Sequence, residues 1–183
     1  MLVAVVGPSG AGKDTLMELA RAQLDSDPRF RFVQRAITRP AEAGGEAHRP
    51  LGVAEFEAEC EAGGFALHWD VHGLRYGIPR DIEADLAAGR VVVANLSRSV
   101  LADAASRYAL RVLVVTAPIA VLAARLAARG RETPEDIAAR LAREMRLAPG
   151  LDVVTVMNDA TPEDGAARVV AALTRAAEDA RRS

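Results

Sequence analysis

Aromatic residues and cysteine are both scarce in this sequence. Phenylalanine, tryptophan and tyrosine make up 4% of its 183 residues, whereas hydrophobic residues make up 50%. Alanine, valine and leucine must therefore fill most of the core. Cys60 is the only cysteine, which excludes an intrachain disulfide and fits a reducing compartment.

The sequence also lacks a strong net charge and a long hydrophobic run. A formal net charge of −2 and a pI near 6.0 argue against a general nucleic-acid binder. No apolar run approaches the ~18 residues of a membrane-spanning helix, and residues 2–6 are too short for a signal peptide. We expect one domain over residues 1–183 of a soluble, cytoplasmic protein that binds neither nucleic acid nor a membrane; its oligomeric state stays open.

Short valine-rich runs alternate with helical patterns along the chain. The runs predict five buried strands, and the segments between them predict helices that cover the sheet. The strands are predicted at 2–6, 30–35, 91–95, 110–116 and 153–157. The helices are predicted at 14–24, 53–61, 81–88, 100–108 and 119–128, with further starts at the two Thr-Pro-Glu-Asp segments, 133–136 and 161–164. Two shorter strands, 65–69 and 74–76, and a loop at 41–52 complete the prediction.

A glycine-rich segment follows the first predicted strand and opens the first predicted helix. It fits the phosphate-binding pattern G-x-x-x-x-G-K, with the residues Gly7, Pro8, Ser9, Gly10, Ala11, Gly12 and Lys13. Backbone N–H groups and the helix N-terminus would surround the phosphates of ATP, and Lys13 would add a positive charge. An ordinary glycine-rich turn is the weaker alternative.

The next two residues, Asp14 and Thr15, depart from the usual pattern, which has Ser or Thr directly after the lysine. A carboxylate is a good ligand for Mg²⁺, so we expect Asp14 to hold the metal. The alternatives are that Thr15 holds it, or that Asp14 only stabilises the helix N-terminus.

Arginines surround Gly130, where the sequence predicts a lid. Arg125 and Arg129 share a helix face, and Arg140 follows on the next predicted helix. Such arginines can stabilise a transferring phosphoryl group, although a solvated basic face is the alternative. The transfer would need no obvious catalytic base. A phosphate acceptor needs none, because it is already ionised near neutral pH and catalysis then consists of alignment and charge neutralisation.

These motifs resemble the guanylate-kinase-like branch of nucleoside monophosphate kinases over nearly the whole chain. The resemblance implies a P-loop fold in three layers, with a five-stranded parallel sheet, an acceptor-binding lobe near 35–88 and a lid near 129–140. It also implies that Arg39 and Tyr76 contact the acceptor phosphate, and that Arg125, Arg129 and Arg140 contact ATP. The matching segments are 7–13, 38–40, 55–56, 76–77, 125–126, 129–130, 140–141 and 158–159.

The guanine-reading positions of that branch do not match. Leu67 stands where guanylate kinases have a glutamate, and Asn95 stands where they have an acid. These departures resemble the ribose 1,5-bisphosphate phosphokinases of phosphonate breakdown, which share Gly-Lys-Asp at 12–14. By that resemblance the substrate-binding residues are Arg35, Thr38, Arg39, Glu46, His48, Tyr76, Asn95 and Arg98.

The resemblance implies a kinase that uses ATP and Mg²⁺ to phosphorylate the 1-phosphate of ribose 1,5-bisphosphate, giving 5-phosphoribosyl 1-diphosphate and ADP. Two alternatives stay open. The first is a guanylate kinase or another nucleoside monophosphate kinase. The second is an inactive guanylate-kinase-like module that binds proteins. For any single arginine of the acceptor region, a surface role is also an alternative.

Overall fold

The computed structural model describes residues 1–41, 46–127 and 147–182. Its strands are β1 (Leu2–Val6), β2 (Phe30–Phe32), β3 (Ala36–Ile37), β4 (Arg49–Pro50), β5 (Phe65–Val71), β6 (Leu74–Pro79), β7 (Val91–Asn95), β8 (Leu110–Thr116) and β9 (Asp152–Met157). Its helices are α1 (Lys13–Leu24), α2 (Val53–Glu61), α3 (Ile82–Ala87), α4 (Leu101–Arg107), α5 (Ile119–Ala127) and α6 (Pro162–Ala180).

Five parallel strands form the central sheet in the order β2-β7-β1-β8-β9. Every residue of β1 and β7 is buried, as expected for valine-rich strands covered on both faces. The predicted α/β fold with a five-stranded parallel sheet is confirmed. The carboxyl ends of the two central strands, β1 and β7, carry the glycine-rich loop and Asn95.

A second sheet has the order β4-β3-β6-β5 and is mixed, since β3 pairs parallel with β4 but antiparallel with β6. The prediction of one strand over 30–35 was wrong. The backbone N–H of Val33 still donates to Val93 O at 2.9 Å, but the chain then leaves the central sheet. Ala36 and Ile37, both 0% exposed, pair with β6 instead.

Residues of β1 alternate between two cores, one on each face of the central sheet. Val3 and Val5 contact the cluster that holds α1 and α6. Leu2, Ala4 and Val6 contact the cluster formed with the second sheet, α3 and α4. Both clusters include residues of β1, so the second sheet shares a core with the strand that precedes the glycine-rich loop.

Helix α6 begins with the capping chemistry that the sequence predicts. Thr161 Oγ1 accepts a hydrogen bond from the backbone N–H of Asp164 at 3.1 Å, and the Asp164 carboxylate accepts from the Thr161 hydroxyl at 2.8 Å. Pro162 occupies the first turn, where no backbone N–H is needed. The other predicted start, 133–136, lies outside the described residues.

Among the residues that the structure describes, none of the helices combines the length and apolar character that crossing a membrane requires.

Replacing Thr161 with alanine should lower the free energy of unfolding by about 1 kcal/mol, because the N-cap acceptor is lost. Thr161→Ser keeps that acceptor and should retain most of the stability. Urea denaturation of the three proteins measures the difference. Equal stability of the serine and alanine variants would contradict a capping role for this hydroxyl.

Candidate active site

The glycine-rich loop follows β1 directly and leads into α1 at Lys13. A Cβ atom on Gly7 would lie 2.0 Å from Val115 O, and one on Gly12 would lie 2.6 Å from the amide nitrogen of Asn158. Gly12 also has a φ of 84°, in the left-handed region, which disfavours other residues. The loop therefore packs closely against β8 and Asn158, and the N-terminus of α1 opens beside it, an arrangement suited to binding anions.

Asn158 forms a hydrogen bond to the backbone of this loop. Its side-chain amide donates to Ala11 O at 2.8 Å, and its backbone N–H donates to Thr116 O at 2.6 Å. Arg125 donates from Nη1 to Gly10 O at 3.2 Å. Asn158 belongs to a segment that matches the family resemblance but was not among the predicted site residues. An asparagine directly after the last predicted strand was the signal available.

Lys13 is the only lysine in the sequence. Its Nζ donates to Gly7 O at 2.9 Å and to Pro8 O at 3.2 Å. Burial lowers the pKa of Lys13 from its usual value, and the positive charges of Arg35 and Arg98 lower it further, whereas the carboxylates of Asp14 and Glu46 raise it. These four charged side chains therefore lie close enough to influence the ammonium group.

Asn95 joins two carboxylates from distant parts of the chain. Its Nδ2 lies 3.2 Å from Asp14 Oδ1 and 3.1 Å from Glu46 Oε2, and its side chain is buried at the end of β7. Only the NH₂ end of the amide can face two carboxylate oxygens favourably. The residue after the glycine-rich loop is thus connected to the acceptor-side segment through one side chain.

The side chain of Arg35 contacts Glu46, Tyr76 and Trp69. Its Nε donates to Glu46 Oε1 at 2.7 Å, and its Nη2 pairs with the same oxygen. Its guanidinium lies 4.9 Å from the ring centre of Tyr76 and 5.8 Å from that of Trp69, two rings that stack at 5.4 Å. The side chains of Arg35 and Glu46 are 13% and 18% exposed, so solvent screens this pair less than a surface pair.

The imidazole of His48 contacts both the guanidinium and the backbone carbonyl of Arg39. His48 Nε2 lies 3.0 Å from Arg39 O, and His48 Nδ1 lies 3.2 Å from Arg39 Nη2. The Nε of Arg39 is buried and has no hydrogen-bond partner among the described residues. A buried donor without a partner is costly, so this guanidinium is suited to an anionic ligand.

Thr38 has a different environment from these two residues. Its hydroxyl accepts from the backbone N–H of Arg75 at 2.8 Å, and its own N–H donates to Arg75 O at 3.0 Å. These bonds attach the start of the predicted acceptor motif to the second sheet. The substrate role of Thr38 stays a prediction.

A cleft of about 680 Å³ lies between α1 and residues 32–34, 41 and 46–48. Asp14, Thr15, Glu46 and His48 are among its lining residues. The cleft thus brings predicted site residues from the start of α1 together with two from the acceptor region, and Asn95 of β7 bonds to Asp14 and Glu46 among them. The predicted lid residues Arg129 and Arg140 lie outside the described residues.

The single lysine makes the site accessible to spectroscopy. After reductive ¹³C-methylation, we expect a dimethyl-lysine NMR signal that titrates below an exposed dimethyl-lysine, because burial disfavours the charged amine. Binding of ATP should raise that pKa, because phosphate anions favour the ammonium form.

The Lys13→Arg variant should lack the signal and so assigns it. A midpoint at or above that of an exposed dimethyl-lysine, or a midpoint that ATP does not move, would contradict this description of Lys13.

Curated proteins provide close relatives of this chain, although no model of a known protein family matches it. The ribose 1,5-bisphosphate phosphokinase PhnN of Brucella melitensis biotype 2 is 54% identical over 158 residues, which cover 85% of this chain and 82% of the relative. The protein of the same name from Agrobacterium fabrum is 45% identical over 178 residues, covering 96% and 97%.

A bifunctional relative shares the same region. The ribose 1,5-bisphosphokinase-thymidine phosphorylase of Azorhizobium caulinodans is 53% identical over 171 residues, which are 92% of this chain. The chain spans about a quarter of the length of that protein, since the match covers 25% of it.

Among solved structures, the guanylate kinase from Anaplasma phagocytophilum is similar in fold. The TM-score is 0.69 at 19% identity, over 96% of this chain and 84% of that one. This likeness supports the fold alone. The identities to the curated relatives, over most of both chains, decide the family: the chain belongs to the ribose 1,5-bisphosphate phosphokinases.

Proposed function

We propose that this chain transfers the γ-phosphoryl group of ATP to the 1-phosphate of ribose 1,5-bisphosphate, giving 5-phosphoribosyl 1-diphosphate and ADP. The observation that carries the proposal is that a loop suited to the phosphates of ATP lies near arginines suited to a phosphorylated acceptor. Asp14, next to the loop and its lysine, is joined through Asn95 to Glu46, which pairs with Arg35 on the acceptor side, and the charges of Arg35 and Arg98 lower the pKa of Lys13. The identity of the substrate is taken from the names of the relatives in the family to which the chain belongs.

The donor side of the reaction would be built by the loop of residues 7–13. Its backbone amides and the N-terminus of α1 suit the β- and γ-phosphates of ATP, and Lys13 needs only to turn from the carbonyl oxygens of Gly7 and Pro8. Arg125 already lies against the loop at Gly10 O. Roles for Arg129 and Arg140 as lid residues over ATP belong to the same proposal.

Asp14 suits the Mg²⁺ that would accompany ATP. Its carboxylate is exposed on the first turn of α1 and lines the cleft. Among the described residues no group of three or more acidic, histidine or cysteine side chains could hold a metal ion. One or two carboxylates completed by phosphates and water are what Mg²⁺ prefers, so the residues present fit this ion, and bound Mg²⁺ would offset charge on the phosphates.

On the acceptor side, the reacting oxygen belongs to a phosphate and is already anionic. It attacks the γ-phosphorus, a new P–O bond forms, and the bond to the β,γ-bridging oxygen breaks with its electrons leaving on ADP. The arginines Arg35, Arg39 and Arg98 would align the acceptor and reduce repulsion between the two anions. His48 would act by holding Arg39, and Tyr76 by supporting Arg35.

A guanylate kinase is the less favoured reading. The glutamate position of the guanine reader is Leu67, which is 1% exposed within the second core. A site that reads a base edge needs polar groups there. The inactive protein-binding module is also less favoured, because Lys13 and the loop geometry are intact. A cytoplasmic location and a place in phosphonate breakdown stay predictions.

The substrate proposal is tested by ADP release from ATP with ribose 1,5-bisphosphate or GMP as acceptor. We expect kcat/KM for the sugar bisphosphate to exceed that for GMP by about 10²-fold or more, because Leu67 and Asn95 stand where guanylate kinases have their guanine-reading acids. Lys13→Met should lower turnover by about 10²-fold or more, since it removes a charge at the transferring group. Faster turnover of GMP would refute the proposed substrate.

The metal proposal is tested by paired variants, Asp14→Asn and Thr15→Val. If Asp14 holds Mg²⁺, the asparagine variant should need about tenfold more Mg²⁺ for half-maximal turnover, since a neutral amide is a weaker ligand. It should also bind Mn²⁺ more weakly in the presence of ATP, as measured by electron paramagnetic resonance. An unchanged Asp14→Asn variant beside an impaired Thr15→Val variant would assign the metal to Thr15.

A further inference from the structure

Glu46 is an anion inside a site that must bind anions. It lines the cleft and is paired with Arg35, and its charge raises the pKa of Lys13, which Arg35 and Arg98 lower. An acceptor with two phosphates would be repelled by this carboxylate. A role as a phosphate ligand is therefore physically excluded for Glu46, and its place in the site needs another account.

The contacts of Glu46 fix its orientation. Arg35 holds Oε1 through two guanidinium nitrogens, and Asn95 Nδ2 donates to Oε2 at 3.1 Å. Arg35 is itself packed against the stacked rings of Trp69 and Tyr76. Because an ionised carboxylate has about four lone-pair sites, these three N–H donors leave accepting capacity on Oε2.

That remaining capacity is available to a ligand in the cleft. Glu46 lines the cleft together with Asp14, and the shared amide of Asn95 places both carboxylates near the end of the glycine-rich loop. The reacting phosphate must lie at this end, in line with the transferred group. In ribose 1,5-bisphosphate, the hydroxyl on C2 is the hydrogen-bond donor closest to the reacting 1-phosphate.

We propose that Glu46 accepts a hydrogen bond from the 2-hydroxyl of the acceptor sugar and so selects ribose over 2-deoxyribose. Asn95 acts as a positioning residue that holds the accepting oxygen. A carboxylate suits this task because it only accepts, while the sugar hydroxyl can donate, and charge-assisted bonds of this kind are the stronger ones. This proposal rests on the proposed function, from which the acceptor is taken.

The test compares two acceptors, ribose 1,5-bisphosphate and 2-deoxyribose 1,5-bisphosphate, with wild type and Glu46→Gln. Wild type should prefer the ribose compound by about ten- to a hundredfold in kcat/KM, the range of a hydrogen bond to a charged group. Glu46→Gln should lower this preference by about tenfold, because the charge is lost while the size of the side chain is kept. Calorimetric affinities for both sugars without ATP give the same comparison for a variant that turns over slowly.

Glu57→Gln is the matched control. Glu57 also pairs with an arginine, Arg75, but it lies on the exposed face of α2. The Glu57→Gln variant should therefore keep the wild-type preference for ribose over 2-deoxyribose. If wild type turns over the ribose compound and Glu46→Gln keeps the wild-type preference, the assignment is overturned while the proposed function stands.

Two other results would also overturn the assignment. If Glu46→Gln binds both sugars more tightly by the same factor, Glu46 occupies the place of an acceptor phosphate in the free protein and is displaced when the acceptor binds. A raised Mg²⁺ requirement with an unchanged preference would make Glu46 a metal ligand. Turnover of neither sugar by wild type would remove the proposed function, and this assignment with it.

Discussion

The side-chain amide of Asn95 is the contact on which the arrangement of the site depends. It bonds Asp14, next to the donor loop, and Glu46, on the acceptor side, through a single nitrogen. Two carboxylates this close repel each other unless donors lie between them. The amide provides those donors at the carboxyl end of the buried strand β7, where Asn95 is paired with Val5 of β1.

The charges around that amide explain why the site has one lysine and several arginines. Arginine stays charged when it is partly buried, whereas lysine loses its proton more readily. The sequence has one lysine, and it lies where burial and two arginines lower its pKa. Its charge is therefore retained most strongly when anions are near, which is the condition that a bound triphosphate creates. The arginines on the acceptor side need no such support.

Local patterns in the sequence were enough to predict the central sheet and the loop. Residues 2–6, 91–95 and 110–116 are strands with the predicted bounds, because continuous valine-rich runs suit only a strand covered on both faces. The break after Phe32 was not predictable in the same way. It depends on the pairing of Ala36 and Ile37 with β6, about 40 residues away in sequence, which local propensity does not encode.

The same distinction applies within the site and bears on substrate choice. Motif resemblance predicted Arg35, Glu46 and Asn95 as site residues, but the roles proposed for them rest on contacts between segments far apart in the chain. In the structure, the position at which guanylate kinases read the base is the buried Leu67, while the Glu46 carboxylate lines the cleft. A site with arginines for phosphates and one oriented carboxylate for a hydroxyl matches a phosphorylated sugar better than a nucleobase, because the sugar offers its donors next to the reacting phosphate.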